Sequence, residues 1–430
     1  MTRPLRVGIA GLGTVGVGVL RMLAAHGDAI AGRVGRRIEV VAVSARNRGR
    51  DRGIDISPYR WVDDPVALAR DEGIDVVVEL MGGADGPARA LAETALSAGR
   101  SVVTANKAMI AEHGNSIARL AEEKGAVLAY EAAVAGGIPI VKALREGLAG
   151  NRIERVYGIL NGTCNYILTT MRRTGRPFEA VLKEAQELGY AEADPSFDVD
   201  GIDTAHKLAI LASIAFGCEI DFAGVHIEGI RHVSPVDIAF AEELNYRIKL
   251  IGSARRTERG IEQRVHPCMV PVASPIAHVE GVFNAVVAQG DFVQDSIYTG
   301  RGAGEGPTAS AVVADLIDIA AGRRAPTFGV PVDRLAPARR SPMENHVGAY
   351  YVRLTVRDQP GVIAAVSAIL RDASISMEAI IQRGRDPDNI VPVVMTTHET
   401  EEAAMRRALA EIDALPAMAA PARMIRIEAL

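Results

Sequence analysis

The sequence predicts an α/β chain in three parts: a doubly wound domain on a parallel sheet, an α+β middle domain, and a small βαββαβ module at the end. Three patterns carry that expectation. Near the start, a short apolar run enters GLGTVG and then a helix-periodic segment, which is the order of strand, tight turn and helix. Between residues 246 and 298, four runs alternate apolar and polar positions across turn signals, as half-buried antiparallel strands do. Beyond residue 348, periods follow one another as strand, helix, strand, strand, helix, strand. With 430 residues the chain can bury two or three separate cores.

Composition narrows the function classes. The chain is 48% apolar and 23% charged with a net charge of -5, an ordinary globular balance that offers neither nucleic acid nor an anionic membrane a basic surface. Small-molecule chemistry is the default. Cys164, Cys218 and Cys268 lack metal-ligand spacing and leave an odd thiol, which predicts buried, reduced cysteines and a cytoplasmic setting. The first residues enter a strand without the apolar core of a secretion signal. The longest helical apolar run, residues 208–217, falls short of the roughly 20 residues that span a bilayer.

The first domain is expected over residues 1–138, completed by a helix returning at about 303–325. Leu5–Ala10 is a buried strand that runs straight into the glycine turn. Gly11 permits the tight turn, Gly13 lets a pyrophosphate approach the backbone, Gly16 lets helix and strand pack closely, and the first N–H groups of the helix face the anion. This is the Rossmann dinucleotide-binding arrangement. The next strand, Ile38–Ser44, ends at the adenine ribose, where NAD-preferring sites carry an acidic residue. Here Arg46 and Arg48 follow instead. They suit the 2′-phosphate of NADP, with NAD as the alternative if they are only solvated loop charges. Residues 75–80 form a strand, Pro87–Ser97 a helix stopped by Gly99, and Ser101–Thr104 a strand leading to Asn106 and Lys107. Ligands of such sheets lie beyond the carboxyl ends of the strands, so Thr104 and Lys107 are candidate contacts. A strand over 127–130 then enters EAAVAGGIPI, residues 131–140, whose one carboxylate and glycine pair can turn several oxygens toward a hard cation.

The middle domain is expected over 139–302. A helix covers 139–148 and a strand 153–160; NGTCNYIL follows, in which Asn-Gly starts a turn and Thr163 can cap the next helix. Strands at 246–255, 262–270, 284–289 and 292–298 make an open sheet with helices on one face, and its uncovered side predicts dimerisation. The loop TGRGAGEGPTAS, which contains Gly302, feeds a helix over 309–321 that returns to the first domain; it can close over a cofactor or serve as a hinge. Prolines at 326–342 mark a linker, taken to 347, before the module of residues 348–430. That module, with Asp358-Gln359-Pro360-Gly361-Val362 at its first turn, resembles the ACT domain, an amino-acid-sensing unit.

The densest chemistry lies in AQELGYAEADPSFDVDGIDTAHK, residues 185–207. Gly189 ends one helix, Asp194-Pro195 turns the chain, and a second helix begins near Gly201 with an apolar stripe of Leu208, Leu211, Ile214 and Ala215. Asp203 and Lys207, four apart, share a face of it. Alone, such a pair is a surface ion pair worth about 0.3–0.5 kcal/mol. Behind a dinucleotide turn, and preceded by Glu192 and Asp198, it becomes a candidate acid–base pair in a pocket suited to an ammonium-bearing substrate.

Together GLGTVG, TANKA at 104–108, EAAVAGGIPI, NGTCNYIL and the 23-residue stretch resemble homoserine dehydrogenase along nearly the whole chain, in the monofunctional form with a C-terminal ACT domain. The resemblance implies reversible reduction of L-aspartate 4-semialdehyde to L-homoserine with NADPH or NADH, for threonine, methionine and isoleucine biosynthesis, in a homodimer or homotetramer that threonine or another amino acid regulates. It implies Lys207 as the acid–base lysine, positioned by Asp203, with Lys107 contacting cofactor. Glu192 would hold the substrate ammonium, supported by Asp198, with Tyr190, Gly162 and Thr163 beside them. Leu12, Thr14 and Val15 would touch the dinucleotide, and Glu131 with the carbonyls of Val134, Gly136 and Ile138 would hold a structural sodium ion. A solvated lysine has a pKa near ~10.4, and an ionised Asp203 pushes it upward. Lys207 is therefore expected to donate as an ammonium in reduction and to need alkaline pH as a base in oxidation. Two alternatives compete: a dehydrogenase for another small aldehyde or ketone, and an amino-acid sensor with an inactive dehydrogenase half.

Overall fold

The computed structural model describes residues 3–383, 390–428 and 430; residues 384–389 and 429 of the expected C-terminal module, and the first two residues of the first domain, lie outside them. The chain opens with β1 (Leu5–Ala10), α1 (Thr14–Val34), β2 (Ile38–Ser44), β3 (Arg60–Trp61), β4 (Val76–Glu79), α2 (Pro87–Ser97), β5 (Ser101–Thr104), α3 (Lys107–Glu123) and β6 (Leu128–Ala129). These strands make a parallel sheet in the order β3-β2-β1-β4-β5-β6. β4 is apolar except for Glu79 and buried at every position, as a strand covered on both faces must be. Helix α3 is an addition to the sequence reading, which left Asn106 and Lys107 in a loop. Met109, Ile110, Ile117, Ala118 and Ala121 give it a buried stripe, and the Asn106 side chain caps it by accepting from Met109 N at 3.1 Å.

The chain continues through a short turn, α4 (Ile140–Lys142), that widens into a π-helical turn at Ala143–Gly147 rather than the regular helix expected there. Then come β7 (Ile153–Ile159), α5 (Gly162–Thr174), α6 (Phe178–Glu187), α7 (Ser196–Val199), α8 (Ile202–Phe216), β8 (His226–Ile227), α9 (Pro235–Glu243), β9 (Tyr246–Thr257), β10 (Gly260–Pro271), β11 (Phe283–Gly290), β12 (Gln294–Arg301) and α10 (Glu305–Ala320). Helix α8 was expected to bury one stripe; it buries every residue from Asp203 to Ile214, because β7 and β9 pack on one side and α3 on another. Helix α9 escaped the sequence reading although Ser234 and Asp237 form a reciprocal capping box. Helix α10 starts four residues earlier than expected. It returns to the first sheet, where Ala309, Val312, Val313 and Leu316 join Leu5, Val7, Ile9, Val19 and Leu20 in one core. Gly18 of α1 meets Glu305 and Ala309 so closely that a Cβ has no room.

The last elements are β13 (Val347–Arg357), α11 (Val362–Asp372), β14 (Met377–Gln382), β15 (Ile390–Thr397), β16 (Thr400–Glu401), α12 (Glu402–Asp413) and β17 (Met418–Ile427). The expectation of a separate module on a linker is corrected here. β17 pairs in parallel with β10, Cys268 facing Arg426 and Met269 facing Ile427, so middle and C-terminal strands form one sheet in the order β12-β11-β7-β9-β10-β17-β13-β15-β14. The proline-rich segment between them is packed down: Phe328, Val332 and Leu335 are buried, and Ala336 and Arg340 bridge to Cys218 and Ile261. Among the described residues, no helix is long and apolar enough to cross a membrane.

Candidate active site

Ser44, Ala10, Glu79 and Thr104 end their strands side by side in register, and the glycine turn sits on this edge. Gly11 has φ +105° and a Cβ there would run into the Leu80 carbonyl, while one on Gly16 would run into the carbonyl of Gly11. Around Gly13 the space is open. No side chain caps α1 at Gly13, so the N–H groups around Thr14 and Val15 remain available to an anion. The turn thus fits a pyrophosphate. Leu12, expected to touch the dinucleotide, buries its side chain, and its carbonyl accepts from Arg52 Nε at 3.2 Å; only its backbone lines the turn. Arg46 and Arg48 stand exposed past β2, Arg48 lying 6.0 Å from the Trp61 ring centroid. Arg52, which sequence reasoning passed over, lies 5.7 Å from the same ring.

Thr104 and Gly302 have packing roles in this structure. Thr104 is fully buried and donates its hydroxyl to Glu79 Oε2 at 2.6 Å while accepting from Asn106 N at 2.9 Å, so its side chain fixes the loop before Lys107 instead of facing a ligand. Gly302 is a packing glycine: a Cβ would overlap the Asn284 side chain, and its carbonyl lies where a Cβ on Gly136 would fall. The sodium site does not fit through the Glu131 side chain. Both carboxylate oxygens cap the next turn, accepting from Val141 N at 2.9 Å and Lys142 N at 2.8 Å. The Ile138 carbonyl already accepts from Ile140 N, and the Val134 and Gly136 peptides complete the same tight loop. Burial, with Asp315 beside it, lifts the Glu131 carboxyl to about 7.

The reactive cluster joins three elements. Asp203 and Lys207 lie one turn apart near the start of α8, and Lys107 opens α3, which packs on α8. Lys207 Nζ donates to Asp203 Oδ2 and to the Leu160 carbonyl, each at 2.7 Å. Lys107 Nζ lies 2.7 Å from Asp203 Oδ1 and 5.3 Å from the Phe197 ring centroid. One buried carboxylate therefore bridges two ammonium groups. The Asn161 amide donates to Asp203 Oδ2 at 2.8 Å and to Asp198 Oδ1 at 2.7 Å, tying the two acids together.

Burial works against the Asp203 carboxylate, but Lys207 and Lys107 outweigh it and hold its pKa well below the ordinary range. The lysines diverge. Burial, with repulsion from Lys107, pulls Lys207 below 10.5 despite Asp203, which reverses the upward push expected from the sequence. Burial also opposes charge on Lys107, yet Asp203, Asp198 and Glu192 more than offset it and its pKa rises. Lys207 is thus the cation that releases its proton more readily. His206, buried between Phe197 and Phe222 at 5.5 and 4.3 Å between ring centroids, is held neutral by burial, with its pKa lowered to about 4.

The remaining predicted residues gather beside this cluster. Thr163 donates its hydroxyl to the Tyr190 carbonyl at 2.7 Å, and the Tyr190 ring packs 4.9 Å from that of Tyr166. The cap of α5 is Asn161, accepting from Cys164 N at 2.8 Å, and not Thr163 as expected. Gly162 lies under the Val282 carbonyl, with little room for a Cβ. Asp198 is half-buried, its pKa raised by burial and by Asp203, and Glu192 is exposed at the rim. Sequence reasoning missed the Asn161 bridge and the Phe197 platform; both lie in motifs that it singled out, but only the fold brings them to the lysines.

A glycine turn at the carboxyl edge of a parallel sheet, with a lysine–aspartate–lysine cluster that Lys107 joins from just past the end of β5, is the arrangement of a nicotinamide-dependent dehydrogenase. Comparison with known families agrees: the homoserine dehydrogenase family model matches residues 139–317, its NAD binding domain matches 11–131, and the ACT domain matches 350–417. The chain belongs to the homoserine dehydrogenase family. Homoserine dehydrogenase of Pseudomonas aeruginosa is 47% identical over 100% of both chains, and that of Neisseria gonorrhoeae 45% identical over 100% of this chain and 99% of its own. The crystal structure of a homoserine dehydrogenase from Thiobacillus denitrificans superposes with a TM-score of 0.94 at 47% identity, covering 99% of this chain and 98% of that one. A hyperthermophilic archaeal homoserine dehydrogenase in complex with NADPH matches with a TM-score of 0.63 at 28% identity, over 73% of this chain and 97% of its own.

Proposed function

We propose that this chain reversibly reduces L-aspartate 4-semialdehyde to L-homoserine with NADPH, using Lys207 as proton donor and acceptor. The observation that carries these roles is the Asp203 bridge between Lys207 and Lys107. A nicotinamide dinucleotide whose pyrophosphate is held at the glycine turn of residues 11–16 would supply or accept the hydride at the substrate's carbonyl carbon. In reduction the Lys207 ammonium gives its proton to the oxygen that becomes the hydroxyl; in oxidation neutral Lys207 takes that proton back. Asp203 orients Lys207, and Lys107 keeps its charge and stabilises the oxygen as negative charge develops. Glu192 and Asp198 hold the substrate ammonium at the rim, beside Tyr190, Gly162 and Thr163.

NADP preference rests on Arg46 and Arg48 and on the lack of a carboxylate at the end of β2. A structural sodium ion would be held by the carbonyls of Val134, Gly136 and Ile138, the last through its second lone pair, without the Glu131 side chain. Free, buried cysteines suit a cytoplasmic enzyme. Exposed Phe292, Phe283 and Ile297 on the β11–β12 edge suit a homodimer or homotetramer. Initial rates with L-aspartate 4-semialdehyde and each cofactor test the proposal. NADPH should be the better donor, and replacing Arg46 and Arg48 by Ala should raise its KM about tenfold with little effect on NADH. Absence of aspartate semialdehyde reduction with either cofactor refutes the activity.

A further inference from the structure

His206, directly before Lys207 on α8, is 3% exposed and takes no part in the proton transfer proposed above. Its ring sits between Phe197 and Phe222, and among the described residues neither Nδ1 nor Nε2 has a hydrogen-bond partner. Buried polar atoms are nearly always paired, so an orphaned imidazole calls for an explanation. Nε2 lies 3.8 Å from Glu112 Oε1 on α3. That is too long for a hydrogen bond. It is within the ~4.2 Å that can separate two ligands of one ion when each is about 2.1 Å from it.

Glu112 has two further neighbours of the same kind. One ligand atom each from Asp85, in the loop after β4, and from Glu112 and His113 on α3 lies within 4.8 Å of the others. His113 Nε2 is 3.0 Å from Asp85 Oδ1, yet it is enclosed and makes no well-aligned hydrogen bond. Arg89 reaches Asp85 Oδ1 at 3.2 Å and also holds Glu93 at 2.8 Å, so it keeps a partner if Asp85 turns to an ion. Two carboxylates balance a divalent charge, and two imidazoles favour zinc, cobalt or nickel over magnesium or calcium. Burial keeps His206 neutral, which leaves its ring a lone pair for a metal. The other such cluster among the described residues, His266, Cys268 and Glu428, is less suited: Arg155 and Arg264 both pair with Glu428 and repel a cation.

We infer that Asp85, Glu112, His113 and His206 form a binding site for a divalent transition-metal ion of the zinc type. The ion ties the loop after β4 and helix α3 to α8. Glu112 lies five residues past Lys107 and His206 stands next to Lys207, so a filled site braces the helix crossing that brings Lys107 to Asp203. It is separate from the 131–138 loop, and binding does not depend on the proposed reaction.

Calorimetry with zinc chloride on chelator-treated, full-length protein tests the site. Zinc should bind with a Kd of about 10 μM or tighter, and magnesium chloride at the same concentration should give no binding heat. His113→Ala and Glu112→Ala should each weaken zinc at least about tenfold. His206→Phe, which keeps an aromatic ring between Phe197 and Phe222, should do the same; if it fails to fold, the two α3 variants decide. Zinc should raise the thermal midpoint of the wild type and leave that of the His113→Ala, Glu112→Ala double variant unchanged. Cobalt in place of zinc should give the visible bands of nitrogen and oxygen ligands without the near-ultraviolet charge-transfer band of a thiolate, which sets the site apart from Cys268. No zinc binding to the wild type, binding that any folded variant leaves intact, a midpoint rise that persists in the double variant, or a thiolate band from cobalt overturns the inference.

Discussion

At the scale of single residues, the chemistry depends on one carboxylate holding two cations apart in energy. Asp203 touches Lys207 and Lys107 with different oxygens, yet burial leaves Lys207 the weaker holder of its proton. Replacing Asp203 by Asn removes the charge that opposes this drop. The Lys207 pKa should then fall further, so the pH midpoint of homoserine oxidation moves down while kcat for reduction falls about 100-fold or more. A midpoint that rises in Asp203→Asn would contradict the assignment. The Asp203–Lys207 pair was legible because helical spacing fixes its geometry. Its bond to Lys107 was not, because it depends on how two distant helices cross. Glycine roles at positions 11, 13 and 16 were legible for the same local reason, whereas Gly302 and Gly136 answer to a loop crossing that spacing does not encode.

At the scale of elements, helix α3 carries Lys107 at its first position, and Asn106 fastens that start. Its side chain accepts from Met109 N and donates to the Gly83 carbonyl at 2.7 Å. Asn106→Ala should cost about 1 kcal/mol of stability, measured by urea denaturation, and should lower kcat because Lys107 loses its fixed origin. Asn106→Asp, which keeps the cap acceptor, should restore most of the stability. Helices α3 and α9 fall in stretches the sequence reading left without an element, although Asn106 and the Ser234–Asp237 capping box were start signals in plain view. Strands with long alternation, β9 and β10 above all, were read nearly to their ends.

At the scale of the molecule, the parallel pairing of β10 with β17 makes the C-terminal module a continuation of the catalytic sheet. The junction is charged and buried: Arg426 is fully buried and reaches both Glu402, at 2.5 and 2.9 Å, and Glu228. Arg426→Met would strand Glu402 without its main cation, so the full chain should lose about 3–5 kcal/mol in urea denaturation. A change below about 0.5 kcal/mol would mean that the junction does not hold the two parts together. The order of three parts could be read from periodicity, but their fusion into one sheet could not, since two residue pairs of strand contact leave no local signature.

The most direct test of the central claim is the pH dependence of kcat/KM for homoserine oxidation. With Lys207 as the base, the rate should climb with pH and level off as the lysine loses its proton, at a midpoint below the 10.5 of an ordinary lysine, and Lys207→Ala should abolish both the climb and most of the rate. A wild-type profile flat from neutral to alkaline pH, or a Lys207→Ala enzyme that keeps its rate, would contradict it.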